Sequence, residues 1–380
     1  MLTTLYRVFY ESGFSIWHVV NAVVIIALSI ALVVIATDSL LVLCWVFRFR
    51  RFEIEKDYEP LISILVAARN EEENLDRCLT SLLSLDYPAD KLEILIGNDD
   101  STDGTSLILA EWKAKSQMIQ TFDIKTQTGN TKGKANVLAQ LAKESKGEFL
   151  FITDADCQVG PLWVRSLLGC YEDEVGIGVG VTDVQNIWQG MDWLFALGLI
   201  KALHDLDNPV VAMGNNMFVT RKAYDAVGGY ESIPFSVTED LELFKQVKKK
   251  GFKTRHIASV ESTVLTNSTK GILNLLRQRK RWLAGAVQLH PGIVFLLLVQ
   301  ALYYPAIVLL LFLWTPFGIS IFTIKGLIQA LIVFKVGNTI RRPKRGLPLI
   351  LFEFYQLYVA LVSSFYFLLP TRVVWKGRKY

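Results

Sequence analysis

The stretch FLFITDADCQVG, from Phe149 to Gly160, runs an apolar, β-branched pattern straight into two aspartates one residue apart, Asp154 and Asp156. Two carboxylates placed so closely repel each other unless a cation offsets them. Magnesium and manganese prefer oxygen ligands and bind few carboxylates together with substrate phosphates. Two aspartates at a strand end can therefore hold such an ion against a diphosphate, where it would take up the charge that grows on a departing group. A solvated acidic turn is the plain alternative for a lone D-x-D. Two further polar clusters also follow strand-like runs: ARNEEE begins at Ala68 and NDDSTDG at Asn98.

Positioning three such clusters together needs a sheet. LISILVAA (61–68), KLEILIGND (91–99), IQTFDIKT (119–126) and FLFITDAD (149–156) have strand patterns, and 72–85, 104–117 and 132–145 have helical apolar spacing. This alternation predicts an α/β fold, a parallel sheet with helices on both faces. Ligands of such sheets bind at the carboxyl ends of strands, where the polar clusters fall.

The remainder of the chain reads as membrane. Of 380 residues, 52% are hydrophobic and 20% charged, and the mean hydropathy is +0.34. These values fit a membrane protein with a soluble part. A net charge of +4 gives nucleic-acid binding no electrostatic support. The four cysteines form no C-x-x-C pair and the four histidines show no ligand spacing, which excludes a disulfide framework or a zinc site.

Val19 to Thr37 carries no charge and the apolar run extends to Phe47, broken only by Asp38. That is enough for a span, which takes about 20 apolar residues. Arg48, Arg50 and Arg51 follow and predict a cytoplasmic side for what comes next. A second apolar block from Pro291 is divided by WTPFG, Trp314 to Gly318, into a hairpin of roughly 292–314 and 317–337. The basic RRPKRG, Arg341 to Gly346, precedes a last apolar segment, Leu347 to Leu369. The expected organisation is an N-terminal segment and membrane helix (1–47), a charged linker (48–60), a cytosolic catalytic domain (61–268) and an interfacial amphipathic helix (269–290). About three transmembrane or re-entrant helices (291–371) and a basic tail (372–380) complete it.

In order and spacing, the motifs resemble those of a membrane-anchored family 2 glycosyltransferase with the Rossmann-like GT-A fold. The chain is similar to the branch that includes cellulose, hyaluronan and poly-N-acetylglucosamine synthases and ceramide glucosyltransferase. Across roughly 60–290, VAARNEEENL, IGNDDSTDGT, KGKANVLA, DAD, GNNMFVTRKAYDAVGGY, TED and QRKRW follow in the family's sequence. The resemblance implies nucleotide-sugar contacts from Ala67, Glu71, Asp99, Lys134, Asp154, Asp156, Gln278, Arg281 and Trp282. It makes Asp156, with Asp154, the ligand of Mg2+ or Mn2+. It assigns the acceptor side to Gly214, Asn215, Asn216, Glu239 and Trp282, and the catalytic base to Asp240. Asn98 and Asp100 depart from the family's usual aspartate and glycine. Trp188 and Trp193, in NIWQGMDWLF, are expected in packing, with a weaker claim to the acceptor side.

The function so implied is inverting transfer of a sugar from a nucleotide-diphosphate donor, with UDP favoured, to a hydroxyl of a lipid or lipid-linked acceptor. The implied setting is the bacterial inner or plasma membrane, with the catalytic domain cytoplasmic, the bilayer as a partner and no nucleic acid. A processive polysaccharide synthase is the alternative within the class. A catalytically inactive nucleotide-sugar-binding membrane subunit is the alternative outside it.

Overall fold

The computed structural model describes residues 16–342, 346–372, 374–375 and 378–379. Residues 343–345 of the basic loop and residues 373, 376, 377 and 380 of the basic tail lie outside the described residues.

A seven-stranded sheet forms the centre of the soluble part. Its strands are β1 (Ile62–Ala68), β2 (Leu92–Asn98), β3 (Ile119–Asp123), β4 (Phe149–Asp154), β5 (Val175–Val179), β7 (Asn216–Thr220) and β8 (Lys253–His256), in the order β3-β2-β1-β4-β7-β5-β8. Two short strands, β6 (Thr182–Val184) and β9 (Val264–Thr266), pair separately. The central strands are buried on both faces, which is why β1 reads as an unbroken apolar run. One core face gathers Ile64, Ile96, Phe151 and Trp163, the other Leu65, Val137, Ile152 and Leu243.

The sheet differs from the all-parallel expectation at one strand. β7 runs antiparallel to both β4 and β5. The reversal matters because the start of β7 then lies where β4 ends: Thr153 pairs with Asn216, and the Thr153 hydroxyl donates to Asn215 O at 3.0 Å. The GNN segment thus reaches the edge that carries Asp154 and Asp156.

Among the described residues, three helices are long and apolar enough to cross a membrane: Trp17–Arg48, Pro291–Leu313 and Thr315–Thr339. The apolar segment after them is divided. A short helix, Gly346–Ile350, precedes a helix of 17 residues, Phe352–Leu368. Both ends of that second helix turn back toward the soluble part. Gln356, in its first half, donates to Asp192 at 3.0 Å, and beyond its end Lys280 Nζ donates to Leu369 O at 2.9 Å and the Thr371 hydroxyl at 2.8 Å.

The chain leaving the helix Trp17–Arg48 is clamped rather than loose. Arg50 pairs with Asp207 at 2.5 Å, and Arg255 reaches the same aspartate at 2.9 Å. Lys201, fully buried on the helix Ile187–Asp205, pairs with Asp205 and donates to Arg50 O at 3.1 Å. A buried ammonium is tolerable only when paired and hydrogen-bonded in this way.

Candidate active site

Where the polar strand ends meet, they are tied to one another. Asn70 takes a left-handed conformation, φ 52°; its side-chain oxygen accepts from Thr102 N at 2.8 Å and its backbone N–H donates to Ser101 Oγ at 3.0 Å. Glu72 accepts from Gly104 N at 2.7 Å, and Arg69 donates to Asp99 O. Asn98 donates to Ser106 and Asp123 and accepts from Ser101 N. The departure from aspartate at 98 thus serves to brace the turn.

Beside these turns lies a cavity of about 590 Å³, the size of an ordinary small-ligand site. Of the residues singled out from the sequence, Ala67, Glu71, Lys134, Asp154, Asp156, Gly214, Asn215, Glu239, Asp240, Gln278, Arg281, Trp282 and Trp193 line it.

Lys134 organises one end of the cavity. It is the first residue of the helix Lys134–Glu144, which follows Gly133 at φ 56°. Its ammonium lies 2.6 Å from Asp154 Oδ1, 3.2 Å from Glu239 Oε1 and 3.0 Å from Gly214 O. Burial opposes the charge, but Asp154, Glu239 and Asp240 outweigh it and hold the Lys134 pKa above its usual value. Burial also raises the pKa of Glu239; Lys134 opposes that rise and Asp240 adds to it. Because one ammonium touches both Asp154 and Glu239, the two acid motifs flank a single space no wider than two ion-pair lengths.

Asp240 is fixed by backbone. Its Oδ2 accepts from Gly214 N and its Oδ1 from Leu241 N, each at 2.8 Å. It lies in the first turn of the helix Glu239–Lys249, where acids are favoured by the helix dipole. Glycine at 214 has a steric reason: a Cβ there would lie 2.8 Å from the Asp240 Cβ.

The opposite wall is the helix Ile272–Ala286. It presents Gln278, Arg281 and Trp282 to the cavity, and Arg281 donates to Val237 O at 3.4 Å. Gly285 lets it approach, since a Cβ there would be 2.4 Å from the Thr238 hydroxyl. Trp193 packs edge-on against Trp282, centroids 5.3 Å apart, whereas Trp188 stacks on Tyr355 outside the cavity wall.

Two expected contacts stand back from the wall. Asn216 is fully buried, and its amide serves Trp163 Nε1 at 2.8 Å, Val181 O at 2.8 Å and Ser262 O at 2.9 Å. It supports Asn215 from behind instead of meeting an acceptor. Asp99 is buried at the end of β2, where its N–H bonds Ala68 O at 2.8 Å. Conversely, Gln189, Asn267, Thr269, Lys270 and Asn274 line the cavity and had no sequence signal, because single polar residues after a short strand or along a helix look like solvated ones.

Among the described residues no three His, Cys, Asp or Glu side chains gather into a metal cage. The donors present are the carboxylates of Asp154 and Asp156 at one cavity edge. That set fits a hard divalent ion completing its shell with phosphate oxygens.

The comparisons agree with this geometry. Residues 63–227 match the family described as Glycosyl transferase family 2, and residues 149–369 match Glycosyl transferase family group 2. A beta-monoglucosyldiacylglycerol synthase from Nostoc sp. is 30% identical over 251 residues, covering 60% of this chain and 49% of that protein. A poly-beta-1,6-N-acetyl-D-glucosamine synthase from Staphylococcus aureus is 25% identical over 242 residues, covering 61% and 56%. The chain spans about half the length of these curated relatives. Among solved structures, the mannosyltransferase PcManGT from Pyrobaculum calidifontis, in complex with GDP-Man and Mn2+, aligns over 91% of this chain and 98% of its own. Its TM-score is 0.59 and its identity 16%, a likeness of fold. With a family match over more than half its length and the GT-A arrangement in its sheet, the chain belongs to glycosyl transferase family group 2, the family 2 glycosyltransferases.

Proposed function

We propose that the protein transfers a sugar from a nucleotide-diphosphate donor, UDP favoured, to a hydroxyl of a lipid or lipid-linked acceptor, with inversion at the anomeric carbon. The observation that carries the reading is the bridge from Asp154 through Lys134 to Glu239, beside Asp240, in one cavity closed by Gln278, Arg281 and Trp282. Relatives named as a glucosyldiacylglycerol synthase and a polysaccharide synthase support the acceptor class.

Asp154 and Asp156 would hold Mg2+ or Mn2+ together with the donor's phosphates; when bound, the ion supplies charge stabilisation to the departing diphosphate, so that no leaving-group acid is needed. Asp240 takes the proton of the acceptor hydroxyl as that oxygen attacks the anomeric carbon from the opposite face. Its two backbone hydrogen bonds hold the carboxylate in place, and Gly214 leaves it room. Lys134 keeps Asp154 and Glu239 from repelling each other and the donor. Arg281, planar and permanently charged, suits the phosphates. Trp282 and Trp193 form an apolar corner for a sugar or a glycerol backbone.

The bilayer lies against the helix Ile272–Ala286, whose exposed Ile272, Leu273 and Leu283 suit an interface. Arg48, Arg50 and Arg51 at the end of the first membrane helix support a cytoplasmic catalytic side, in a bacterial plasma membrane.

The test is nucleotide release and lipid glycosylation by purified protein with native lipids, Mn2+ and a panel of nucleotide sugars. Wild type is expected to release nucleotide and glycosylate a lipid, and Asp156→Ala and Asp240→Asn to do neither. Equal turnover by all three removes the reading. A ladder of products on a gel, rather than one added sugar, replaces single transfer by polymerisation.

A further inference from the structure

The helix Ile272–Ala286 is joined to the sheet domain by thin contacts, a 3.4 Å bond from Arg281 and the close approach at Gly285. Its other side is held much more firmly. Arg279, outside the Gln-x-x-Arg-Trp positions, forms an ion pair with Asp192 of the helix Ile187–Asp205. The second Asp192 oxygen accepts from Gln356 at 3.0 Å. Asp192 is 8% exposed, so both its oxygens are engaged, one by each of two different helices. The next residue, Trp193, is the one that packs on Trp282.

Gln356 is itself on a fixed base. One turn earlier, Glu353 meets Lys325 at 3.6 Å, both nearly fully buried. Gln329 faces both of them once its amide is turned to give its oxygen to Lys325. Ionisable groups among membrane helices are costly and persist when they pair. This pair holds the rotation of the helix Phe352–Leu368 and thereby the direction of Gln356.

We propose that Asp192 is a positioning residue for glycosyl transfer: through Arg279, with Gln356 as its brace, and beside Trp193, it sets the orientation of Trp282. The inference rests on the functional reading above. The physical argument is one of leverage. Successive residues of a helix are about 100° apart, so a small rotation carries Trp282 away from the cavity. Misplacement by about 1 Å can cost about 100-fold in rate. The carboxylates of Asp154, Asp156 and Asp240, hung on the sheet, would be untouched.

The experiment uses the full chain in lipid nanodiscs, measuring lipid glycosylation, affinity for UDP in Mn2+, and thermal unfolding. Asp192→Ala is expected to lower glycosylation about 10- to 100-fold, with UDP affinity within about twofold of wild type. In a Trp282→Ala background the same change should cost less than about twofold, because the group it positions is gone. A merely structural role would lower UDP affinity and glycosylation together, or cost as much in both backgrounds; either result overturns the proposal, as does wild-type glycosylation by Asp192→Ala. Should Asp192→Ala not fold, Gln356→Leu removes only the brace and is expected to lower glycosylation severalfold at unchanged UDP affinity, and wild-type behaviour overturns the proposal. A wild-type protein that turns over no nucleotide sugar sinks the functional reading itself, and this inference with it.

Discussion

The wall carrying Asp154, Lys134, Glu239 and Asp240 hangs from strand ends and helix starts of one sheet, held by backbone register and short hydrogen bonds. The wall carrying Gln278, Arg281 and Trp282 is a single helix, held from behind through Arg279 by Asp192 and through Lys280 by Leu369 O. The first is rigid because many backbone bonds must break together to move it. The second depends on a few side chains. The sheet wall is thus preorganised, while the helix wall is set by a handful of side-chain contacts.

That contrast can be broken first at the base. Asp240→Asn is expected to lower the transfer rate 100- to 10,000-fold, the usual worth of a general base, with UDP affinity retained; a loss of affinity in equal measure would mean that Asp240 serves the donor wall only. Next is Lys134→Met, which leaves the buried Glu239 and the half-buried Asp154 without their shared cation. Removing one partner of a fully buried pair costs about 3–5 kcal/mol; with Asp154 part-exposed the loss should fall below that range, to be read from denaturant unfolding, and wild-type stability would show that the sheet wall is not braced by this lysine.

The contact between the helix Ile187–Asp205 and β8 should be acid-labile. His204, on the helix Ile187–Asp205, packs 5.4 Å from His256 of β8. Burial lowers the His204 pKa to about 4, the bond at Ile200 O opposing and Lys201 adding to the fall. Burial likewise lowers His256 well below its ordinary value, with His204 and Lys201 contributing. Both rings are therefore neutral in the fold and bind protons more readily in the unfolded chain. The stability they contribute is complete above the unfolded value near 6.5 and is lost as pH falls toward 4. For His204 alone this amounts to about 3 kcal/mol. Unfolding midpoints measured from pH 7 to pH 4 check it, and His204→Gln should flatten the slope.

The smallest effect is expected at Gly285→Ala. The added methyl meets Thr238 while the helix gains propensity, so stability should change by no more than about 1 kcal/mol. Transfer should nevertheless fall severalfold, since the helix wall moves and the sheet wall does not. Unchanged transfer would mean that the second wall tolerates displacement.

Much of this was legible along the chain. The strands 61–68, 91–99 and 149–156 were visible because a buried strand is apolar on both faces, and the acids at their ends because charge stops such runs. The membrane segments were visible because a span must be long and uncharged. The last apolar segment was not, since the stretch 347–369 reads alike whether straight or broken at Leu351. Asn216 looked like Asn215 in the sequence, and only the direction of β7 separates the buried amide from the one at the cavity.

The sequence by itself determined which residues can carry charge at strand ends and which stretches must avoid water, because periodicity and local composition are properties of neighbours along the chain. The tertiary structure decided who meets whom. That Lys134 bridges Asp154 and Glu239, that Gly214 makes room for Asp240, and that Arg279 answers Asp192 from 87 residues away follow from strand direction and helix packing. A side chain's partner in space is fixed by the fold's path, which no local pattern encodes.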